Sequence, residues 1–418
     1  MAKDDHRPLA TRMRHLQILT GNGDSAIVAT MVSGLELHPT RPHHTDQPDP
    51  CLAPEYLRPL IDQAFPGQHV DFQVKPLLGD ASDRRYYRLN FTTAVDGISS
   101  LVLMRLPEPC MAGELPFVNV QRYLLAHSIP VPAIVWDGTR GGFILLEDLG
   151  DVTLEAALQG ASREQMARWY RQALDILLAL QRPQHGTPPA DCVAFSLAFD
   201  VEKLMWELDF FLTHMIKQLC AQQLPALDET ALRNQFRRIS AMLARQPRVF
   251  THRDYHSRNL MLHQERLRVI DFQDARLGPC QYDLASLLYD SYVVLQADLR
   301  VELLAYYLEH QATTADSALP REAFLWIFDY MCLQRNLKAL GTFAFQTMVK
   351  RTSRYLAAIP PTLSYIQEHL SRHPELRQLR DLLEDYLFSA VPSALQDAAR
   401  RTLDRSPDRL NKNLDRAE

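Results

Sequence analysis

Residues 250–274, FTHRDYHSRNLMLHQERLRVIDFQD, constrain what this 418-residue chain can fold into more than any other stretch. They read as a loop, a short strand (260–262), a polar turn (Gln264, Glu265, Arg266) and a second strand (267–270), which together make a β-hairpin. A turn centred on Glu265 pairs Leu260 with Ile270 and Asn259 with Asp271. Opposed residues in such a ladder carry Cβ atoms about 5 Å apart, so an amide oxygen and a carboxylate lie side by side at one end, set to share a cation. Asp254 lies five residues before Asn259, on the loop that feeds the first strand. Hard cations such as magnesium take oxygen ligands and are usually held by one or two carboxylates plus substrate phosphates. Two oxygens for a metal and a separate carboxylate to receive a proton are the parts that phosphoryl transfer asks for.

The order His252-Arg253-Asp254, then Asn259, then Asp271-Phe272 also matches the catalytic-loop and metal-loop signatures of kinases. With GDASDRRYYR (79–88), LLEDLGD (145–151), YDLASLL (282–288) and LQRNLKALGTFA (333–344), the stretch resembles the aminoglycoside phosphotransferase family. Within that family it is most similar to the branch of anomeric kinases for N-acetylmuramate and N-acetylglucosamine used in cell-wall sugar recycling. The resemblance spans roughly residues 70–385. It implies ATP and Mg2+ as cofactors and an amino sugar phosphorylated at its anomeric hydroxyl.

The periodicity agrees with the fold this implies, an α+β, bilobal protein-kinase-like fold with a small antiparallel-sheet N-lobe and a mainly helical C-lobe. Apolar runs of strand length at 72–78, 86–91, 101–106, 134–136 and 143–146 alternate with turn residues, and helices are expected at 55–65 and 117–127. From Thr153 the spacing turns helical, over 163–181, 200–223, 228–245, 284–292, 299–310 and 321–345, with Asp283 placed to cap the helix at Leu284. The expected organisation is a loosely ordered N-terminal extension (1–54), a nucleotide-binding N-lobe (55–150) and a helical C-lobe carrying the catalytic hairpin (151–391). A charged, frayed tail (392–418) follows.

A net charge of −5 and a pI near 6.3 argue against nucleic acid as a partner. No apolar run approaches the ~20 residues that cross a bilayer, and MAKDDHRPLATRMRH does not read as a signal peptide. A cytoplasmic protein acting on a small molecule, with no membrane partner, is expected. The six cysteines are scattered without a C-x-x-C pair and read as reduced structural thiols.

Asp254 is the candidate catalytic residue, accepting or orienting the proton of the attacking hydroxyl. Asn259 and Asp271 are the candidate magnesium ligands. Gln273 stands where protein kinases have glycine, which suggests a less mobile metal loop. His252 and His256 have the spacing of a helical zinc pair, but the segment is expected to be loop, and by resemblance His252 is a scaffold. Gly79 to Arg88 stands where a kinase has its glycine-rich flap; Ser82 offers a hydroxyl, and Arg84, Arg85 and Arg88 offer charge to a nucleotide's phosphates. Kinases deliver a lysine to those phosphates from the strand that here reads LVLMRL. Arg105 is the nearest cation and the candidate substitute, although guanidinium and ammonium are not interchangeable. Glu147 and Asp148 mark the hinge between lobes, where adenine is read by backbone groups. For the acceptor, Arg335 and Lys338 are cations suited to a carboxylated sugar, and Glu207 and Asp209 are the carboxylates an aminoglycoside would want. The alternatives are a kinase for another small alcohol, such as an aminoglycoside or choline, and a nucleotide-binding module that no longer catalyses.

Overall fold

The computed structural model describes residues 52–77, 84–182, 191–311 and 319–403. Gly79 and Ser82 fall outside the described residues, as do 1–51 of the expected N-terminal extension and 404–418 of the tail.

Helix α1 (Pro54–Ala64) leads into a five-stranded antiparallel sheet. Its strands are β1 (Phe72–Leu77), β2 (Arg85–Val95), β3 (Ile98–Arg105), β4 (Ile134–Gly138) and β5 (Phe143–Glu147), in the order β1-β2-β3-β5-β4. Helix α2 (Pro116–Ala126) is inserted between β3 and β4. The two faces of the sheet are set apart by the pleat, which sends successive side chains to opposite sides. Met104 joins α2 residues Phe117, Val120 and Leu124 in the core that continues into the helical body, and Val102 packs against it. Leu89, Leu101 and Leu103 are as deeply buried but lie on the other face, outside that core.

The rest is mainly helical: α3 (Arg163–Gln181), α4 (Val201–Phe211, which runs on as a π-helical segment Leu212–Leu219) and α5 (Ala226–Ala244). After the hairpin region come α6 (Gln281–Leu288), α7 (Ala297–Gln311), α8 (Arg321–Met348), α9 (Ile359–Arg372), α10 (Arg377–Leu383) and α11 (Val391–Leu403). Helix α3 opens with a full capping box, Ser162 and Gln165 exchanging side-chain and backbone bonds, which sharpens the boundary read from periodicity.

Two expectations need correction. Residues 391–403 are helix, with Val391, Ala394 and Ala398 buried, so the frayed tail does not begin at 392; three small apolar residues at helical spacing are a weak signal in a charged stretch. Asp283 does not cap its helix, which starts two residues earlier at Gln281; the carboxylate is used elsewhere. The cysteines within the described residues are free thiols. No helix among the described residues is long and apolar enough to cross a membrane.

Candidate active site

Four short strands build the site. β6 (Arg248–Thr251) pairs with β9 (Arg276–Pro279), and β7 (Leu260–His263) pairs with β8 (Arg266–Val269). The expected hairpin is present, one residue out of the expected register: Leu260 opposes Val269, not Ile270. The turn holds two residues, Gln264 and Glu265, both with positive φ (49° and 58°). This is the backbone that matches strand twist in a two-residue hairpin. Asn259 and Asp271 still meet. The Ile270 N–H donates to the Asn259 carbonyl (3.0 Å), and Asp271 then takes φ 63°, which turns its carboxylate back to 3.5 Å from Asn259 Nδ2.

The same amide nitrogen donates to the Asp254 carbonyl at 2.9 Å, so Asn259 ties the two loops together and its oxygen is the atom left for a cation. Gln273 donates to Asp271 Oδ1 at 2.8 Å, a side-chain brace where a glycine would leave the loop free. Phe272 is fully buried and stacks on Phe117 of α2 with centroids 4.9 Å apart, which docks the metal loop against the small lobe. Among the described residues no group of three or more His, Cys, Asp or Glu side chains is placed to hold a metal. The Asn259–Asp271 pair instead fits a hard cation that draws its other ligands from water and phosphate.

Asp254 is 29% exposed, open to the cleft, and its Oδ1 accepts from Lys338 Nζ of α8 at 2.7 Å. Burial works against ionisation, but Lys338 and Arg253 outweigh it and hold the carboxyl well below the usual carboxylate range. The loop around it is held at several points. The backbone N–H groups of His252 and Arg253 both donate to the buried Asp283 of α6, at 2.6 and 2.9 Å. His252 Nε2 bonds the Ile270 carbonyl (3.0 Å), and Tyr255 donates to the Ala173 carbonyl of α3 (2.8 Å). Burial pushes Asp283 up to about 7 against its two N–H donors. Burial, then the neighbouring Arg335, pushes His256 down to about 3, so it stays neutral.

Across the hinge, Glu147 pairs with Arg268 of β8 (2.5 Å) and accepts the Ala133 N–H (3.0 Å). Asp148 takes a two-pronged bond from Arg88 (2.6 and 3.0 Å), the Ser100 hydroxyl (2.7 Å) and the Gly150 N–H (2.9 Å). Both carboxylates are engaged in holding the hinge, and Arg88 is engaged with Asp148 and Asp151. Arg105 sits opposite Arg85 at the end of β3. By strand alternation it shares the face of Leu101 and Leu103, while Val102 and Met104 face the cleft. The register therefore does not bring Arg105 to the lysine's place. Arg84 is better sited: its guanidinium lies 5.9 Å from the Phe117 ring centroid and bonds Tyr86, which itself feels the charge of Asp271.

The chain matches the model of the phosphotransferase enzyme family APH over residues 73–322. It is 35% identical to the N-acetylmuramate/N-acetylglucosamine kinase of Pseudomonas aeruginosa over 80% of this chain and 93% of that protein. It is 32% identical to the kinase of the same name from Neisseria meningitidis, over 78% and 94%. The chain belongs to the APH phosphotransferase family. Among solved structures, a choline kinase from Cryptosporidium parvum shares the fold at TM-score 0.54 and 12% identity, covering 81% of this chain and 99% of its own. An ethanolamine kinase from Plasmodium vivax does so at TM-score 0.50 and 13% identity, over 86% and 97%. This APH-family protein is an ATP-dependent small-molecule kinase.

Two contributors to the site of this family member are not legible in its sequence. Lys338 has the charge to suit a carboxylated sugar, and nothing in helical periodicity aims it at Asp254. Asp283 lies in YDLASLL, where proximity to a helix start suggested a cap; only the packing of α6 under the loop shows its partners.

Proposed function

We propose that this kinase transfers the γ-phosphoryl group of ATP to the anomeric hydroxyl of N-acetylmuramate or N-acetylglucosamine, giving the sugar 1-phosphate in the recycling of cell-wall sugars in the cytoplasm. The observation that carries the reading is the meeting of the Asp254 loop, Asn259 and Asp271 beside a partly exposed Asp254 carboxylate, in a chain so similar to kinases named for those sugars.

Asp254 is the catalytic residue of this reading. A carboxylate held ionised by Lys338 accepts a hydrogen bond from the sugar hydroxyl and aims its oxygen at phosphorus. Phosphoryl transfer passes through a loose transition state, so the O–H proton is given up late, as the new P–O bond forms and the bond to ADP breaks. Asn259 and Asp271 would hold Mg2+, which neutralises charge on the phosphates. Arg84, bonded to Tyr86 beside Asp271, is a cation on the small-lobe side of that loop. Lys338 and Arg253 beside Asp254 oppose a polycationic aminoglycoside as acceptor.

The test is a panel of sugars and alcohols with ATP and Mg2+, the product located by phosphorus NMR. A sugar 1-phosphate from either N-acetyl sugar supports the reading; a different ester, or ATP binding with no product, rejects it. With Asp271→Ala, activity is expected to need far more Mg2+ and to fall by orders of magnitude.

A further inference from the structure

Resting on that reading, we infer that Lys203 of α4, with Arg276 of β9, forms a subsite for the carboxylate of an acidic acceptor sugar and so biases the kinase toward N-acetylmuramate over N-acetylglucosamine. The first sugar carries a carboxylate on its lactyl ether; the second has none.

Glu207 organises the site. Its side chain is fully buried; one oxygen accepts from Gln334 at 3.0 Å and lies 3.5 Å from the Tyr282 hydroxyl. The other oxygen has no hydrogen-bond partner, and two cations flank it beyond hydrogen-bond distance: Lys203 Nζ at 4.0 Å and Arg253 Nε at 3.9 Å. Lys203 also feels the charge of Lys338, the partner of Asp254, which puts these cations in the neighbourhood of the reacting position. Arg276 stacks over Phe199, 5.3 Å from the ring centroid, and its Nε donates to the Asp274 carbonyl at 3.3 Å. Lys203, Arg253, Arg276 and Lys338 share one neighbourhood, in which the carboxylates are Glu207, Asp254 and Asp274.

Two of those carboxylates are already taken. Asp254 is paired with Lys338 at 2.7 Å, and Asp274 with Arg253 at 3.2 Å. Lys203 and Arg276 both feel the charges of the recessed Glu207 and of Arg253, and Lys203 also feels that of Arg276. Burial, and then the neighbouring guanidinium groups once the pull of Glu207 is overcome, lowers Lys203 to about 8. The pKa of Arg276 is lowered as well, by burial and then by Arg253. An anion bound between them relieves this repulsion. The site is reachable: the Lys203 ammonium rests 3.8 Å from the ring centroid of Trp206, which is 51% exposed, and the lysine side chain itself is 21% exposed. A half-exposed indole beside a cation offers a flat apolar wall to the sugar and a charge to its acid group.

The experiment measures kcat/KM for both N-acetyl sugars with the wild type, Lys203→Met and Lys203→Arg, each checked for native near-UV circular dichroism. A hydrogen bond to a charged group predicts that Lys203→Met lowers the N-acetylmuramate to N-acetylglucosamine ratio by about ten-fold or more, chiefly through KM, and that Lys203→Arg restores most of it. In the wild type the ratio should fall as pH rises through about 8, where Lys203 loses its proton. In Lys203→Arg it should stay level. Of the groups around that amine, Glu207, Arg253, Lys338, Asp254, Asp274 and Tyr282 serve both sugars' reactions, so the ratio cancels their titration, and the guanidinium of Arg276 keeps its charge across this range. An unchanged ratio in Lys203→Met, or equal losses for both sugars, overturns the subsite while leaving the anomeric kinase reading intact. A wild type that phosphorylates neither sugar overturns both.

Discussion

Asp254 and Lys338 set the chemistry of the cleft. Ordinary aspartates titrate near 3.9, and Lys338 keeps Asp254 ionised far below that, so the carboxylate is a poor proton store and a good orienting acceptor. Asp254→Asn preserves shape but loses the charge. It should lower kcat by orders of magnitude while leaving ATP affinity within about two-fold, as read by calorimetric titration and steady-state rates. Lys338→Met removes the largest of the charges that favour ionisation. The carboxyl pKa then rises, and the acidic limb of the kcat/KM profile should appear about one unit or more higher than in the wild type. A profile that does not move would separate the lysine from the proton's acceptor.

At the scale of elements, the position of Lys338 depends on how closely α8 approaches α4. A Cβ at Gly341 would lie 2.7 Å from Phe211 Cα and 2.9 Å from its nitrogen, backbone atoms that cannot rotate aside. Glycine is required there by close approach, one turn along α8 from the ammonium that meets Asp254. Gly341→Ala should force the helices apart, cost about 1–3 kcal/mol in urea unfolding, and lower kcat at temperatures where the variant is still folded. The helix itself was legible: its apolar residues recur at helical spacing, and the sequence reading placed it over 321–345 against the observed Arg321–Met348. Its contact with α4 was not legible, because a glycine inside a helix reads only as a mild destabiliser until a second backbone is seen against it. The hairpin shows the same division. Two apolar runs around a polar turn declared it, yet the register slipped by one because Gln264 and Glu265 adopt left-handed backbone without the Asn-Gly pair that usually announces such a turn.

Over the whole molecule, the two lobes share one core. Met104 of the sheet, Leu106 just beyond β3, Phe117 and Leu124 of α2, and Phe272 of the metal loop belong to a continuous apolar cluster. The hinge adds ion pairs to both sides, Arg268–Glu147 toward the hairpin and Arg88–Asp148 toward the sheet. Removing Arg88 leaves Asp148, whose side chain is 7% exposed, with the Ser100 hydroxyl and one N–H. Arg88→Met should therefore destabilise by about 2 kcal/mol, below the full cost of orphaning a buried charge, and raise the KM for ATP more than it changes kcat. Asp148 is disfavoured as an anion by burial, yet Arg88, Ser100 and the Gly150 N–H hold its pKa below the ordinary value. The stability from the pair is thus fully present above about pH 4 and is lost as pH falls through the depressed pKa. Unfolding curves of the wild type and Arg88→Met should converge in that acidic range.

Local order along the chain was enough to determine the lobes, the hairpin and its polar groups, because apolar period, turn chemistry and a short run of catalytic residues are properties of neighbours in sequence. Residues distant in the chain decided the rest. Lys338 is 84 positions from Asp254, Asp283 is 31 from His252, and Arg88 is 60 from Asp148. The partner that sets a side chain's charge state, or ties a hinge carboxylate to an arginine, is chosen by which helices and strands pack together. Packing depends on the shape of whole faces, which no local pattern encodes.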